Sequence, residues 1–268
     1  VFAGKKSAQI REILISESAW EEMTCLFAPS LGILAGMGPR STAPFIDMLV
    51  TDCQVVCGAK YDMDFPEMHI ISLPTPFWPG KKINCSEMIA ALQHGIAELV
   101  KTDVSLIAVP CNLAHCYFDE MNEVSAGIPL LHIADSALEA LPAEAGKVAI
   151  HATGPTHEAS FYQQRIRDAG REVIDSQELR STTTSLIGLV KAKGSRDPEV
   201  QARWHHLMSM VESTQADAVL IACTDLSPLI SRNSFNFAIV DTATSLSRAT
   251  IRHYRRLIEE KNDSGAAR

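Results

Sequence analysis

Long hydrophobic runs are missing from this sequence. The most apolar stretch, Leu31 to Met37, spans seven residues and includes two glycines. A bilayer-crossing helix needs ~18 or more. Lys5, Lys6 and Arg11 interrupt the N-terminal segment, so no secretory leader core is expected there. A basic excess is also missing. Lys and Arg number 24 against 32 Asp and Glu, for a net charge of −8 and a pI near 5.6. That balance argues against a nucleic-acid partner or an anionic membrane surface. The seven cysteines are odd in number and scattered. They form no disulfide framework, and the expectation is a cytoplasmic protein with free thiols. Neither a Gly-x-Ser-x-Gly elbow nor a Walker loop occurs. Gly36-x-Gly38 lacks the third glycine of a dinucleotide fingerprint, since Ser41 follows at that spacing. Cys111, His115 and Cys116 have no second ligand pair at zinc spacing, so no metal is expected. Cys53 and Cys57 share a helical spacing without histidine or carboxylate companions. His69, His94, His132, His151, His157, His205 and His206 read as surface or satisfied core residues.

What is present is α/β patterning. Hydrophobic residues make up 46% of 268 positions, enough to bury two cores of ordinary size. Short apolar runs suited to buried parallel strands fall at Leu31–Ala35, Met68–Ser72, Leu106–Val109, Leu130–Ile133, Val148–Ala152, Val219–Ala222 and Phe237–Val240. Amphipathic stretches lie between them. Asn84-Cys85-Ser86-Glu87 has the form of a capping box, followed by Met88, Ile89, Leu92, Ile96, Leu99 and Val100 at helical spacing. Asp197 to Val211 and Ser245 to Ile258 read the same way. Alternation of this kind means parallel sheets covered by helices on both faces.

The chain also echoes itself. Gly38-Pro39 with Ala43 and Phe45 recurs as Gly154-Pro155 with Ala159 and Phe161. Val109-Pro110-Cys111 recurs as Ile221-Ala222-Cys223, and Ala134 with Ser136 as Ala243 with Ser245. Three landmarks in one order imply two related α/β domains. The expected division is an N-terminal arm at 1–28, a first domain at 29–140, a second at 141–236, and a last strand and helix at 237–268. Pro142 and Gly146 mark the linker. Within the arm, Ile10, Ile13, Leu14 and Trp20 have the spacing of an additional helix.

Ligands of parallel sheets bind at the carboxyl ends of strands. Cys111 follows one such strand, beside Asn112 and His115; Cys223 follows another, beside Thr224 and Asp225. A thiol opening a helix is acidified from its ordinary ~8.5 toward neutrality, where it can take or give a proton. Two thiols at equivalent places in facing domains would stand on either side of a ligand. Cys25, Cys53, Cys57, Cys85 and Cys116 lack that double coincidence and read as inert packing. Gly36-Met37-Gly38-Pro39 and its echo Thr153-Gly154-Pro155-Thr156 suit the close approach of a small carboxylate or phosphate.

On these residues the chain resembles the cofactor-independent aspartate/glutamate racemase family, in its aspartate racemase branch, from about Leu31 to about Tyr254. Val109-Pro110-Cys111-Asn112-Leu113-Ala114-His115 is similar to the family's Pro-Cys-Asn-Thr-Ala-His motif. Ala222-Cys223-Thr224-Asp225-Leu226 is similar to its Gly-Cys-Thr-Glu-Leu motif. The resemblance implies two pseudo-symmetric flavodoxin-like domains with the active site in the cleft between them. It also implies no cofactor, a small amino acid or carboxylate as partner, and a homodimer. One cysteine thiolate would remove the Cα proton and the other thiol would reprotonate the opposite face. Cys111 and Cys223 are that pair by resemblance, and Met37, Asn112, Leu113, Ala114, Thr153, Thr156, Lys191 and Thr224 would bind the substrate. Aspartate or glutamate is the default substrate. A weakly catalytic binding or sensing protein on the same fold is the alternative. Three departures stand out. Leu113 replaces a threonine, Asp225 replaces a glutamate, and Pro74-Thr75-Pro76-Phe77-Trp78 carries no arginine where the family grips an acidic side chain. Phe77 and Trp78 point instead to an apolar wall and leave room for a neutral or aromatic substrate.

Overall fold

The computed structural model describes residues 28–78, 82–230 and 235–266. The expected helix around Trp20, and Cys25, lie outside these residues. Among the described residues, seven strands form two parallel sheets. The first has the order β2 (Met68–Ser72), β1 (Leu31–Ala35), β3 (Leu106–Ala108). The second has the order β5 (Glu172–Ile174), β4 (Lys147–Ala152), β6 (Ala218–Ala222), β7 (Ala238–Asp241).

Strand alternation distributes the core over both faces of each sheet, as period-two side-chain placement requires. In the first sheet Leu31, Ile33, Leu106 and Ala108 pack on one face. Leu34, Ile107 and Val109 pack on the other. In the second, Ala149, Val219 and Ile221 oppose Val148, Ile150, Leu220 and Ala222 in the same manner. Helices cover these faces: α1 (Thr42–Cys57), α2 (Cys85–Val100), α3 (Phe118–Glu123) and α4 (Ile133–Glu139) belong to the first half. The second half has α5 (Gly154–Ala159), α6 (Phe161–Asp168), α7 (Gln177–Lys193) and α8 (Pro198–Ser213), and α9 (Thr242–Ala266) ends the described chain. Side-chain caps fix the starts of α2, α7 and α8. Asn84, Ser176 and Asp197 accept the backbone N–H of Glu87, Leu179 and Glu199, each cap contributing about 1 kcal/mol.

The last two elements divide between the halves. β7 pairs with β6, whereas α9 leaves the second sheet and packs on α1 and α4. Ala243, Leu246, Ile251 and Tyr254 of α9 join the core beneath β1. Buried Asp52 of α1 anchors the crossing, accepting from the Ser247 hydroxyl at 2.7 Å and pairing with Arg248 at 3.5 Å. The two halves are therefore linked by the 140–146 connection and by α9.

One expected strand is corrected. Leu130–Ile133 is not a strand: Leu130 forms a single parallel bridge to Ile107, and Ile133 already opens α4. The His132 imidazole stops the extended run by capping that helix, its Nδ1 accepting the Ala134 N–H at 3.1 Å.

Candidate active site

The carboxyl ends of β1, β3 and β6 converge on one cavity of about 510 Å³. Each supplies a turn. After β1, Gly36 has a φ of +94°, and a Cβ there would lie 2.5 Å from the Leu73 nitrogen. Only glycine allows this bend, which is held by the Gly36 N–H donating to Thr42 Oγ1 at 3.1 Å. Gly38 lies against charge: a Cβ would sit 2.8 Å from an Asp225 oxygen and 3.0 Å from Lys191 Nζ.

Cys111 follows β3 and lines the cavity; Cys223 follows β6 and lines it as well. The Cys111 turn is braced from behind. His115 Nε2 lies 3.0 Å from the Val109 carbonyl oxygen, and its Nδ1 faces the Ile133 N–H at 3.5 Å. Burial drives the His115 pKa down to about 3, so the ring is neutral, with Nε2 donating to the carbonyl. Asn112 is held at both ends of its amide. Its Nδ2 donates to Thr242 Oγ1 at 3.0 Å, and its Oδ1 accepts from the buried Tyr162 hydroxyl. Asn112 thus ties the first cysteine turn to α6 and α9.

The Cys223 turn carries the charge. Asp225 and Lys191 pair at 2.6 Å and, among the described residues, are the only charged side chains lining the cavity. Burial alone would lower the Lys191 pKa. The adjacent Asp225 carboxylate outweighs that effect and the pKa is raised, so Lys191 is a cation. Its Nζ also stands 5.8 Å from the centre of the Phe77 ring, within cation–π reach.

The expected acidification of the two thiols is corrected. Burial pushes Cys111 up to about 11 and Cys223 up to about 12. Asp225 contributes to both rises, and these values already include the partial offset from Lys191 and backbone N–H groups. Desolvation in the cavity is the main cause; in addition, Cys111 precedes a 3-10 segment, Leu113–Tyr117, and Cys223 precedes an irregular turn, so neither has an aligned α-helix dipole to offset it. Both are thiols in the free protein at neutral pH.

Met37, Asn112, Leu113, Ala114, Thr153, Lys191 and Thr224 line the same cavity as the two cysteines. Thr156 does not; it is buried behind Thr153, their hydroxyls 2.9 Å apart. Ser72, Thr75 and Met88 also line it and were not singled out from sequence, Met88 because it matched the helical apolar stripe of α2. Of the other cysteines in the described residues, Cys53 is buried, Cys116 is half-buried and packs against the core of the first half, and Cys57 and Cys85 are exposed.

A cavity between two parallel sheets, with one thiol from each, is the setting in which relatives become informative. The family model described as Asp/Glu/Hydantoin racemase matches residues 34–250. The chain belongs to that family. A curated member, the broad specificity amino-acid racemase RacX of Bacillus subtilis (strain 168), is 37% identical over 224 residues, covering 84% of this chain and 97% of that one. Among solved structures, Picrophilus torridus aspartate racemase superimposes with a TM-score of 0.73 at 22% identity, covering 85% of this chain and 94% of the other. Glutamate racemase from Francisella tularensis, solved with D-glutamate, gives 0.65 at 15% identity, over 87% and 82%. These structures share the two-domain racemase fold with this family member. The family works without pyridoxal phosphate.

Proposed function

We propose that the protein interconverts the L and D forms of an amino acid, with Cys111 and Cys223 as the acid–base pair. The observation that carries this reading is the presence of both thiols in one cavity, each from the end of a different sheet. A thiolate on one side takes the Cα proton, and the thiol on the other gives its proton to the opposite face. The enzyme ends with its charge moved from one sulfur to the other.

The ion pair explains how a neutral thiol enters this cycle. Asp225 holds both thiol pKa values up and Lys191 pulls both down. A substrate ammonium group that pairs with Asp225 removes the nearest anion opposing ionisation, and Lys191, which also meets the substrate carboxylate, stabilises the negative charge that develops there. Binding and ionisation are then one event. The same pair bears on the substrate. One cation and one anion match the two charges of an amino-acid zwitterion, and no further cation lines the cavity, among the described residues, for a second carboxylate. A neutral side chain fits this balance better than aspartate or glutamate. We take the working unit to be a cytoplasmic homodimer of two-domain chains, following the family expectation.

The test is proton NMR in D2O with a panel of L- and D-amino acids. Loss of the Cα–H signal is expected, faster for neutral members than for aspartate and glutamate. Silence across the panel would contradict the reading and favour the binding or sensing alternative.

A further inference from the structure

A second cavity, of about 600 Å³, adjoins the catalytic one. Three residues line both: Phe77, Leu113 and Thr153. The same segments run from one chamber into the other. The 111–117 turn places Cys111 in the first and Tyr117 in the second, and α7 places Lys191 in the first and Ile187 in the second. The second chamber is therefore the continuation of the interdomain cleft beyond a neck of three side chains. Its walls include Ile83, Pro155 and Ile187. Its two ionic side chains, Lys82 and Glu158, are exposed and opposite in sign, so no net charge awaits a ligand there. Gly188 opens one wall, and a Cβ built on it meets nothing within 4 Å.

Resting on the racemase reading, we propose that this chamber receives the distal part of a large uncharged substrate side chain, with Phe77, Leu113 and Thr153 setting the width of the entry. The chemistry favours an aromatic or long aliphatic group. The neck presents a phenyl ring and a leucine, and the chamber beyond gives apolar contact without a charge to satisfy. Leu113 stands where the resembled motif has threonine, so the neck is more apolar than that motif provides. The two chambers divide the work: the first holds the zwitterionic head and the reacting carbon, and the second selects the side chain.

Gly188→Leu fills the second chamber from a helix that tolerates leucine better than glycine. Leu113→Ala widens the neck instead. The readout is the ratio of Cα exchange efficiency for phenylalanine to that for alanine. It is expected to fall about tenfold or more in Gly188→Leu, the scale on which apolar pockets discriminate size, and to rise in Leu113→Ala. An unchanged ratio in both variants, with exchange intact, would overturn the subsite and leave the racemase reading standing. The rise in Tm on adding phenylalanine separates the two claims. If no amino acid exchanges, but phenylalanine stabilises the parent protein and not Gly188→Leu, the subsite stands and the racemase reading falls. Absence of both exchange and selective stabilisation would overturn both.

Discussion

The two cysteine turns occupy equivalent strand ends and are built in opposite ways. The Cys111 turn is held by neutral hydrogen bonds, through His115 to Val109 and through Asn112 to Thr242 and Tyr162. Leu113 and Ala114 present apolar surface beside it, and its own residues 109–117 carry no formal charge. The Cys223 turn has Asp225 two residues on, paired with Lys191 from α7. One turn fixes geometry and the other supplies electrostatics. The pseudo-symmetry of the fold thus places two thiols equivalently without giving them equivalent surroundings, and one ion pair acts on the ionisation of both, Asp225 raising and Lys191 lowering each pKa.

Removing either thiol should have the largest effect. Cys111→Ser and Cys223→Ser are each expected to lower racemisation by about 10²–10⁴-fold, the range for a positioned acid or base. Chiral chromatography of the product checks this, and near-normal rates in both directions for either variant would break the pair. The charged turn comes next. Lys191→Met removes the cation that favours both thiolates and should cost about tenfold or more in kcat/KM, since one pKa unit corresponds to about 1.4 kcal/mol. Asp225→Asn should act oppositely on the free protein, lowering the thiol pKa values and speeding iodoacetamide labelling of Cys111 and Cys223, mapped by peptide mass spectrometry.

The braced turn should answer in stability. Asn112→Ala leaves the buried Tyr162 hydroxyl without its acceptor, and a loss of about 1–3 kcal/mol in urea unfolding is expected. Lys191→Met should change urea stability less than Asn112→Ala; the reverse order would erase the contrast between the turns. The gentlest probe is pH. Burial lowers His115 and His151 to about 3, so the unfolded chain binds more protons than the folded one below the ordinary histidine value of ~6.5. Stability should therefore fall as pH drops from there toward 3. The buried thiols titrate above their ordinary value, so the unfolded chain loses those protons first and stability should also fall above about pH 9. A thermal-melting series should show a plateau between these limits.

β1, β3, β4 and β6 were legible because each is a short, mainly apolar run buried in its sheet, whereas β2, at an edge, was legible from its pattern although its residues are half-buried or exposed. β5 escaped notice because it is three residues long, starts with Glu172 and lies at a sheet edge. Leu130–Ile133 misled because four apolar residues serve a bridge and a helix start as readily as a strand. The cysteines were legible through their places at strand ends and through the repeat. Their ionisation was not, because desolvation depends on what the two halves enclose together. Lys191 could be named from sequence, but its pairing with Asp225 joins α7 to the β6 turn and has no sequence signal. The second chamber draws on segments far apart in the chain, and of its lining only Phe77 is read from sequence as part of an apolar wall.

In the proposed mechanism one sulfur removes the Cα proton and the opposed thiol delivers a different one, and labelling in D2O tests this most directly. Starting from one pure enantiomer, early samples are separated chirally and each is analysed for Cα deuterium by mass spectrometry. Two-base inversion predicts a product enantiomer that carries deuterium while the recovered starting enantiomer stays unlabelled. Deuterium accumulating in the starting enantiomer ahead of product would mean that a single base works on one face, and would contradict the pairing of Cys111 with Cys223.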